Sequence, residues 1–276
     1  MTLQPSSRTF PSFSLLSFDI YGTLIDWENG IETGLRSSPF FSSITTPHKL
    51  STRKGLLAAY VQNERRIQAA QPKLPYSGVL AATFKAIVAE YGLTASAGAT
   101  TNDDTDKADF LEKEATRFYQ SAGHWSAFPD TVAGLQRLSK YYKYLVPLSN
   151  VDNTTVAATV SGPLAPTQFA AIYTAQDIGS YKPDPRNFEY LLANVEREFG
   201  VDKSRVLHVA ESLYHDHVPA SAMGIESVWV DRSGASMGEI EDEVVREKAR
   251  FGWRVGSIME LAELVEEAFA KDGGKE

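Results

Sequence analysis

The 276-residue chain contains no cysteine. That absence excludes disulfides, thiolate metal centres, iron–sulfur clusters and a cysteine nucleophile together. No apolar run reaches the roughly 18 residues a membrane helix requires. The opening MTLQPSSRTFPSFS has neither the basic flank nor the apolar stretch of a secretory signal. Lys and Arg form no cluster: 27 of them stand against 35 Asp and Glu, and the net charge of −8 is spread along the chain. Neither nucleic acid nor a membrane surface is therefore an expected partner, and a cytoplasmic location is the expectation. There is no internal repeat. At roughly 100–200 residues per domain, the length suits one large domain or one domain with a sizeable insertion.

The first strong signal is Leu15 to Phe18, an apolar run that meets Asp19 and then Gly22-Thr23, the pattern of a buried strand ending in a turn. From there to about residue 120 the rhythm is helical. Leu56, Leu57, Tyr60 and Val61, then Val79, Leu80, Thr83, Phe84, Ile87 and Val88, recur at helical spacing. Inside that block the segment 94–107, TASAGATTNDDTDK, is small, polar and acidic, and is expected to be an exposed loop. After Trp125 strand and helix alternate. Strands are expected at Tyr144 to Leu148, Ala170 to Thr174, Val206 to Ala210 and Ser227 to Val230, with helices at Asn187 to Phe199 and Ile258 to Phe269 and a polar tail over 271–276. Short apolar runs separated by amphipathic helices predict a parallel sheet covered on both faces. The fold class is thus α/β, a doubly wound parallel sheet begun by one N-terminal strand and interrupted by a helical insertion. Residues 1–27 and 121–276 are assigned to the core domain and 28–120 to the helical domain.

In such sheets ligands bind beyond the carboxyl ends of the strands, and four strand ends carry polar groups: Asp19 after LLSF, Ser149-Asn150 after YLVPL, Lys182 in SYKPDP, and Glu211 with Asp216 after VLHVA. A carboxylate such as Asp19 can attack an electrophile and form an ester that water later breaks. To stay ionised while half buried it needs a cation, and Lys182 is the candidate. Ser149 and Asn150 offer donors to a substrate carboxylate or phosphate, Thr23 a hydrogen bond to the bound group, and Asp216 a carboxylate to hold water or a metal. His215 and His217, two apart on a helix, point to different sides and make no metal pair. Trp27 and Trp125 mark the expected junctions of the two domains, where packing is the first expectation.

Taken in order, FDIYGTLIDW, PLSN, YKPDP and HVAESLYHD resemble the haloacid dehalogenase superfamily over about residues 12–27 and 125–270. The resemblance implies a Rossmann-like core, an inserted helical cap domain, an aspartyl enzyme intermediate and a small anionic substrate. Asp19 to Leu24 is most similar to the type II 2-haloacid dehalogenases. Phosphatase relatives place a second Asp, the acid for the leaving alcohol, where Tyr21 stands; a halide needs no proton. The resemblance therefore implies first a hydrolase that removes halide from a small 2-haloacid without a cofactor. Asp19, Lys182, Asp216 and Thr23 would be catalytic, and Ser149, Asn150, Tyr21 and Arg53 would bind substrate.

Other positions resemble the phosphatases instead. Glu211 with Asp216 is similar to the acidic pair that holds Mg²⁺ there, whereas dehalogenases have a serine at the first place. Leu213 stands where they carry Asn and Phe188 where they carry Tyr, and Arg53 falls near the distance of their halide-binding Arg. A Mg²⁺-dependent phosphatase acting on a small phosphorylated metabolite, with Asp19, the Tyr21 carbonyl, Glu211 and Asp216 around the metal, is the alternative. A weakly active or non-catalytic binding protein is the third. A homodimer is compatible with each.

Overall fold

The computed structural model describes residues 2–3, 6–95, 104–232 and 243–273. Eight strands occur among them: β1 Thr2–Leu3, β2 Leu15–Phe18, β3 Tyr144–Ser149, β4 Tyr173–Thr174, β5 Val206–Ala210, β6 Glu226–Val230, β7 Arg250–Phe251 and β8 Trp253–Val255. Six of them form one parallel sheet in the order β4-β3-β2-β5-β6-β8, and β1 pairs with β7 apart from it. The chain starts the sheet at β2, adds β3 and β4 on one side, and then adds β5, β6 and β8 on the other. Connections thus diverge at β2, which places a crevice at its carboxyl end.

The described residues divide into two compact units, Met1–Asp26 with Ser126–Asn150 and Val160–Glu276, and Trp27–Trp125 with Val151–Thr159. In the first, β2 and β5 are buried along their whole lengths, as expected for strands with helices on both faces. The helix Arg186–Phe199 is strongly amphipathic. It lays Phe188, Leu191 and Val195 against Leu15, Val146, Leu148 and Val206. Each such side chain removed from water contributes about 1.5–3 kcal/mol. This helix ends on Gly200 at φ 67°, the left-handed position that a residue without Cβ takes at low cost.

The second unit is helical: α1 Trp27–Arg36, α2 Arg53–Ala70, α3 Tyr76–Glu90 and α4 Asp104–Ser121. Thr52 starts α2 by accepting from the Gly55 N–H at 3.1 Å. Phe84 stands at the centre of its core, with ring centroids 5.4 Å from Phe41 and 5.7 Å from Phe118. Trp125 packs on α1 where Gly30 leaves room; a Cβ there would lie 2.3 Å from its ring. Trp125 is therefore a packing residue.

Several expectations need correction. Helix α4 begins at Asp104, inside the segment expected to be a loop, and residues 96–103 of that segment lie outside the described residues. The strand expected over Ala170 to Thr174 shrinks to two residues, because only Tyr173 and Thr174 find partners on β3. The closing helix extends to Gly273, and the last three tail residues are outside the described set. Strands β1, β7 and β8 lie outside the strands expected from the sequence. Among the described residues no helix is long and apolar enough to cross a membrane.

Candidate active site

Asp19 follows the last residue of β2, and its N–H donates to Val209 O at 3.0 Å, which ties it to β5. The chain then turns sharply. Gly22 adopts φ 101°, a conformation a side chain would strain, and the Leu24 and Ile25 N–H groups both return to Ile20 O. This turn brings Thr23 back over Asp19, so that its hydroxyl donates to Asp19 Oδ2 at 2.8 Å and accepts from the Glu211 N–H at 2.9 Å.

Lys182 is 2% exposed, and its ammonium uses all three protons. It donates to Asp19 Oδ1 at 2.9 Å, Asp216 Oδ1 at 2.6 Å and Leu148 O at 2.9 Å. Asp216 lies in a π-helical turn, Leu213–His217, that follows β5. The structure thus brings together Asp19, Thr23, Lys182 and Asp216, four of the residues singled out in the sequence.

One ammonium serves two carboxylates unevenly. Burial pushes the Asp19 carboxyl above the usual aspartate value; Lys182 pulls it down without cancelling the rise, and the Asp216 charge adds to it. Burial acts upward on Asp216 too, but the Lys182 charge and the His208 hydrogen bond outweigh it and hold that carboxyl well below the usual range. Burial would lower Lys182, yet the two carboxylates prevail and keep the ammonium charged. Lys182 therefore does oppose the desolvation of Asp19 but does not overcome it.

Ser149 ends β3, and its buried hydroxyl makes no hydrogen bond among the described residues. Asn150 braces Lys182: its Nδ2 donates to Lys182 O at 3.0 Å and its Oδ1 accepts from Lys182 N at 2.7 Å. Tyr21 pairs with Ile25 in an isolated bridge within the turn. Arg53 belongs to the helical unit, where its guanidinium donates to Glu32 and, at 3.4 Å, to Glu28. Those two carboxylates offset the charge expected to receive an anion.

Glu211, 8% exposed, follows β5, and its carbonyl accepts from Trp229 Nε1 at 2.8 Å. The Mg²⁺ alternative places Asp19, the Tyr21 carbonyl, Glu211 and Asp216 around the ion. Among the described residues no three His, Asp or Glu side chains are arranged to hold a metal ion, and the Lys182 ammonium already bonds both Asp19 and Asp216. His217, fully buried, binds Ala210 O through Nε2 and Ser227 Oγ through Nδ1, each at 2.9 Å, and burial lowers its pKa to about 4. It stays neutral and pins the π-helical turn to β5.

Two residues of the site escaped the sequence reading. Arg232 grips the Thr23 carbonyl with Nε and Nη2 and lies 4.0 Å over the Phe128 ring. His208, in β5, bonds Asp216 Oδ1 at 2.9 Å. The available signal for His208 was a lone imidazole in the otherwise apolar run VLHVA; for Arg232, which follows β6, there was none.

A family model for haloacid dehalogenase-like hydrolases matches residues 13–216, more than half of the chain. Among solved structures, a dehalogenase superposes with TM-score 0.68 at 19% identity, covering 92% of this chain and 97% of that one. The L-2-haloacid dehalogenase of Xanthobacter autotrophicus with chloropropionic acid covalently bound gives 0.65 at 18% identity, covering 92% and 98%. YfnB of Bacillus subtilis bound to magnesium gives 0.65 at 18% identity, covering 92% and 99%. No curated protein matches the chain significantly. Similarities at this level of identity bear on the fold.

Proposed function

The chain belongs to the haloacid dehalogenase-like hydrolases, and from that premise we propose that it hydrolyses the carbon–halogen bond of a small 2-haloacid through an ester on Asp19. One observation carries the proposal: Asp19 has one oxygen on Lys182 and the other on Thr23, with Asp216 on the same ammonium. A carboxylate fixed through both oxygens is oriented for in-line attack, and raised basicity makes it a better nucleophile while it remains ionised. An Asp19 oxygen would form a bond to C2 as the bond to halogen breaks and halide departs with the electron pair. Water would then add to the ester carbonyl of Asp19, passing a proton to Asp216 and releasing a 2-hydroxy acid. Ser149, with its unused hydroxyl, is suited to bind the substrate carboxylate.

Tyr21 supports halide as the leaving group. An alkoxide leaving from a phosphate ester needs a proton, and no acidic side chain stands two residues after Asp19. In this proposal the helical unit, Trp27–Trp125 with Val151–Thr159, is the cap domain.

Single-turnover hydrolysis of a 2-chloro acid in ¹⁸O-labelled water tests the proposal. The first label should appear in the Asp19 carboxylate, and Asp19→Asn should fold normally but lose at least about a thousandfold in turnover, since an amide is a far weaker nucleophile. Label entering only the product would mean direct attack by water and would defeat the ester.

A further inference from the structure

His208 lies in the middle of β5 and is fully buried. A parallel register places it directly beside Ser17 of β2, on the same face of the sheet. Its Nδ1 is 3.0 Å from Ser17 Oγ, and its Nε2 is 2.9 Å from Asp216 Oδ1. The Phe188 ring stands edge-on to the imidazole, with centroids 4.9 Å apart and an interplanar angle of 81°. Three contacts thus fix the plane of the ring. A carboxylate oxygen only accepts, so Nε2 carries a proton.

Asp216 is bound on one side only. Oδ1 takes both the Lys182 and the His208 bonds, while Oδ2 is buried and makes no hydrogen bond among the described residues. Lys182 divides its bonds between two carboxylates and the Leu148 carbonyl, and esterification of Asp19 would remove the charge of one of those acceptors. His208 is held by strand β5 and by Ser17, so its bond does not depend on the state of Asp19.

We propose that His208 is a positioning residue for ester hydrolysis: its Nε2–H, donated to Asp216 Oδ1, fixes the Asp216 carboxylate so that Oδ2 receives the proton of the attacking water. The proposal rests on the reading of Asp19 and Asp216 given above. A merely space-filling histidine would be replaced well by an aromatic ring of similar size, whereas a donor would be replaced by an amide.

His208→Phe and His208→Gln separate the two roles, with Asp216→Asn as reference. A 2-chloro acid is the substrate, and mass spectrometry of the quenched protein reads the ester. His208→Phe should lower kcat about 10–100-fold, the usual cost of one hydrogen bond to a charged group. KM should fall in parallel, because kcat/KM reports the step that forms the ester and only the second step is slowed. The acid-bearing mass should accumulate on the Asp19 peptide, as in Asp216→Asn, and His208→Gln should recover most of the turnover. Loss of kcat/KM in His208→Phe without accumulated ester, while Asp216→Asn does accumulate it, overturns the role of His208 alone. Absence of ester in Asp216→Asn as well overturns the underlying reading, and this proposal with it. Should His208→Phe not fold, long-range ¹H–¹⁵N spectra of the wild-type protein decide. A slowly exchanging Nε2–H on the ring assigned through His208→Gln supports the proposal, and a ring protonated only at Nδ1 overturns it.

Discussion

Arg232 donates through Nε and Nη2 to the carbonyl oxygen of Thr23, at 3.2 and 2.7 Å. The same guanidinium bonds Asp130 Oδ1 at 2.6 Å, and Asp130 Oδ2 accepts from the N–H of Ile258, the first residue of the closing helix. The turn that presents Thr23 to Asp19 is therefore tied, through two side chains, to the far end of the chain.

Replacing Arg232 by Met leaves the Thr23 carbonyl without these donors and Asp130 without its cation. We expect a loss of about 2–4 kcal/mol in urea unfolding, together with a fall in kcat as the Thr23 bond to Asp19 loosens. Unchanged turnover in a folded Arg232→Met protein would show that the grip serves stability alone.

Lys182→Met should cost about 3–5 kcal/mol, since it strands two buried carboxylates without their cation, and should abolish turnover near neutral pH. The folded Asp216 carboxyl lies below its ordinary value of 3.8. Its contribution to stability is therefore full above the unfolded value and is lost as pH falls through the folded one. Denaturant titrations should accordingly show the gap between wild type and Lys182→Met narrowing below about pH 4. A constant gap down to acid pH would mean that the loss comes from packing.

In the helical unit, the Tyr60 and Tyr76 hydroxyls donate to Glu64 Oε1 at 3.1 and 3.3 Å. Burial pushes Glu64 from 4.5 up to about 7, against the pull of those hydroxyls. Between those values the folded protein binds more protons than the unfolded chain, so stability falls as pH rises through the window. Glu64→Gln should remove that slope and stabilise the protein at about pH 8 by on the order of 2 kcal/mol, after allowance for partial exposure. Thermal melts across the window check this; parallel curves for the two proteins would refute it.

Chelation bears on the leaving group. With Lys182 already bonding Asp19 and Asp216, EDTA should leave halide release unchanged and added Mg²⁺ should not raise it. Hydrolysis of phosphate esters that is lost with EDTA and restored by Mg²⁺ would overturn the dehalogenase proposal in favour of the metal-dependent alternative.

Much of the molecule was legible from the sequence because its signals are local. LLSF, YLVPL and VLHVA are short apolar runs whose burial depends on little more than their own composition, and the polar residues that end them fall at strand ends wherever the sheet forms. Asp19 directly follows such a strand, whereas Lys182 and Asp216 stand in the connections after β4 and β5. The edge of the sheet was harder. Tyr173–Thr174 and Trp253–Val255 are too short to carry a periodicity of their own and exist because β3 and β6 offer them partners.

The connections between the site residues were decided only by tertiary structure. Parallel register alone sets His208 beside Ser17 and so toward Asp216, 8 residues further on. The crossing of separate loops brings Asn150 to the Lys182 backbone, and a separation of 209 residues lies between Arg232 and Thr23. A sequence names the groups that end its strands, but the partner that takes each lone pair depends on register and on the direction of long connections, which no local pattern encodes.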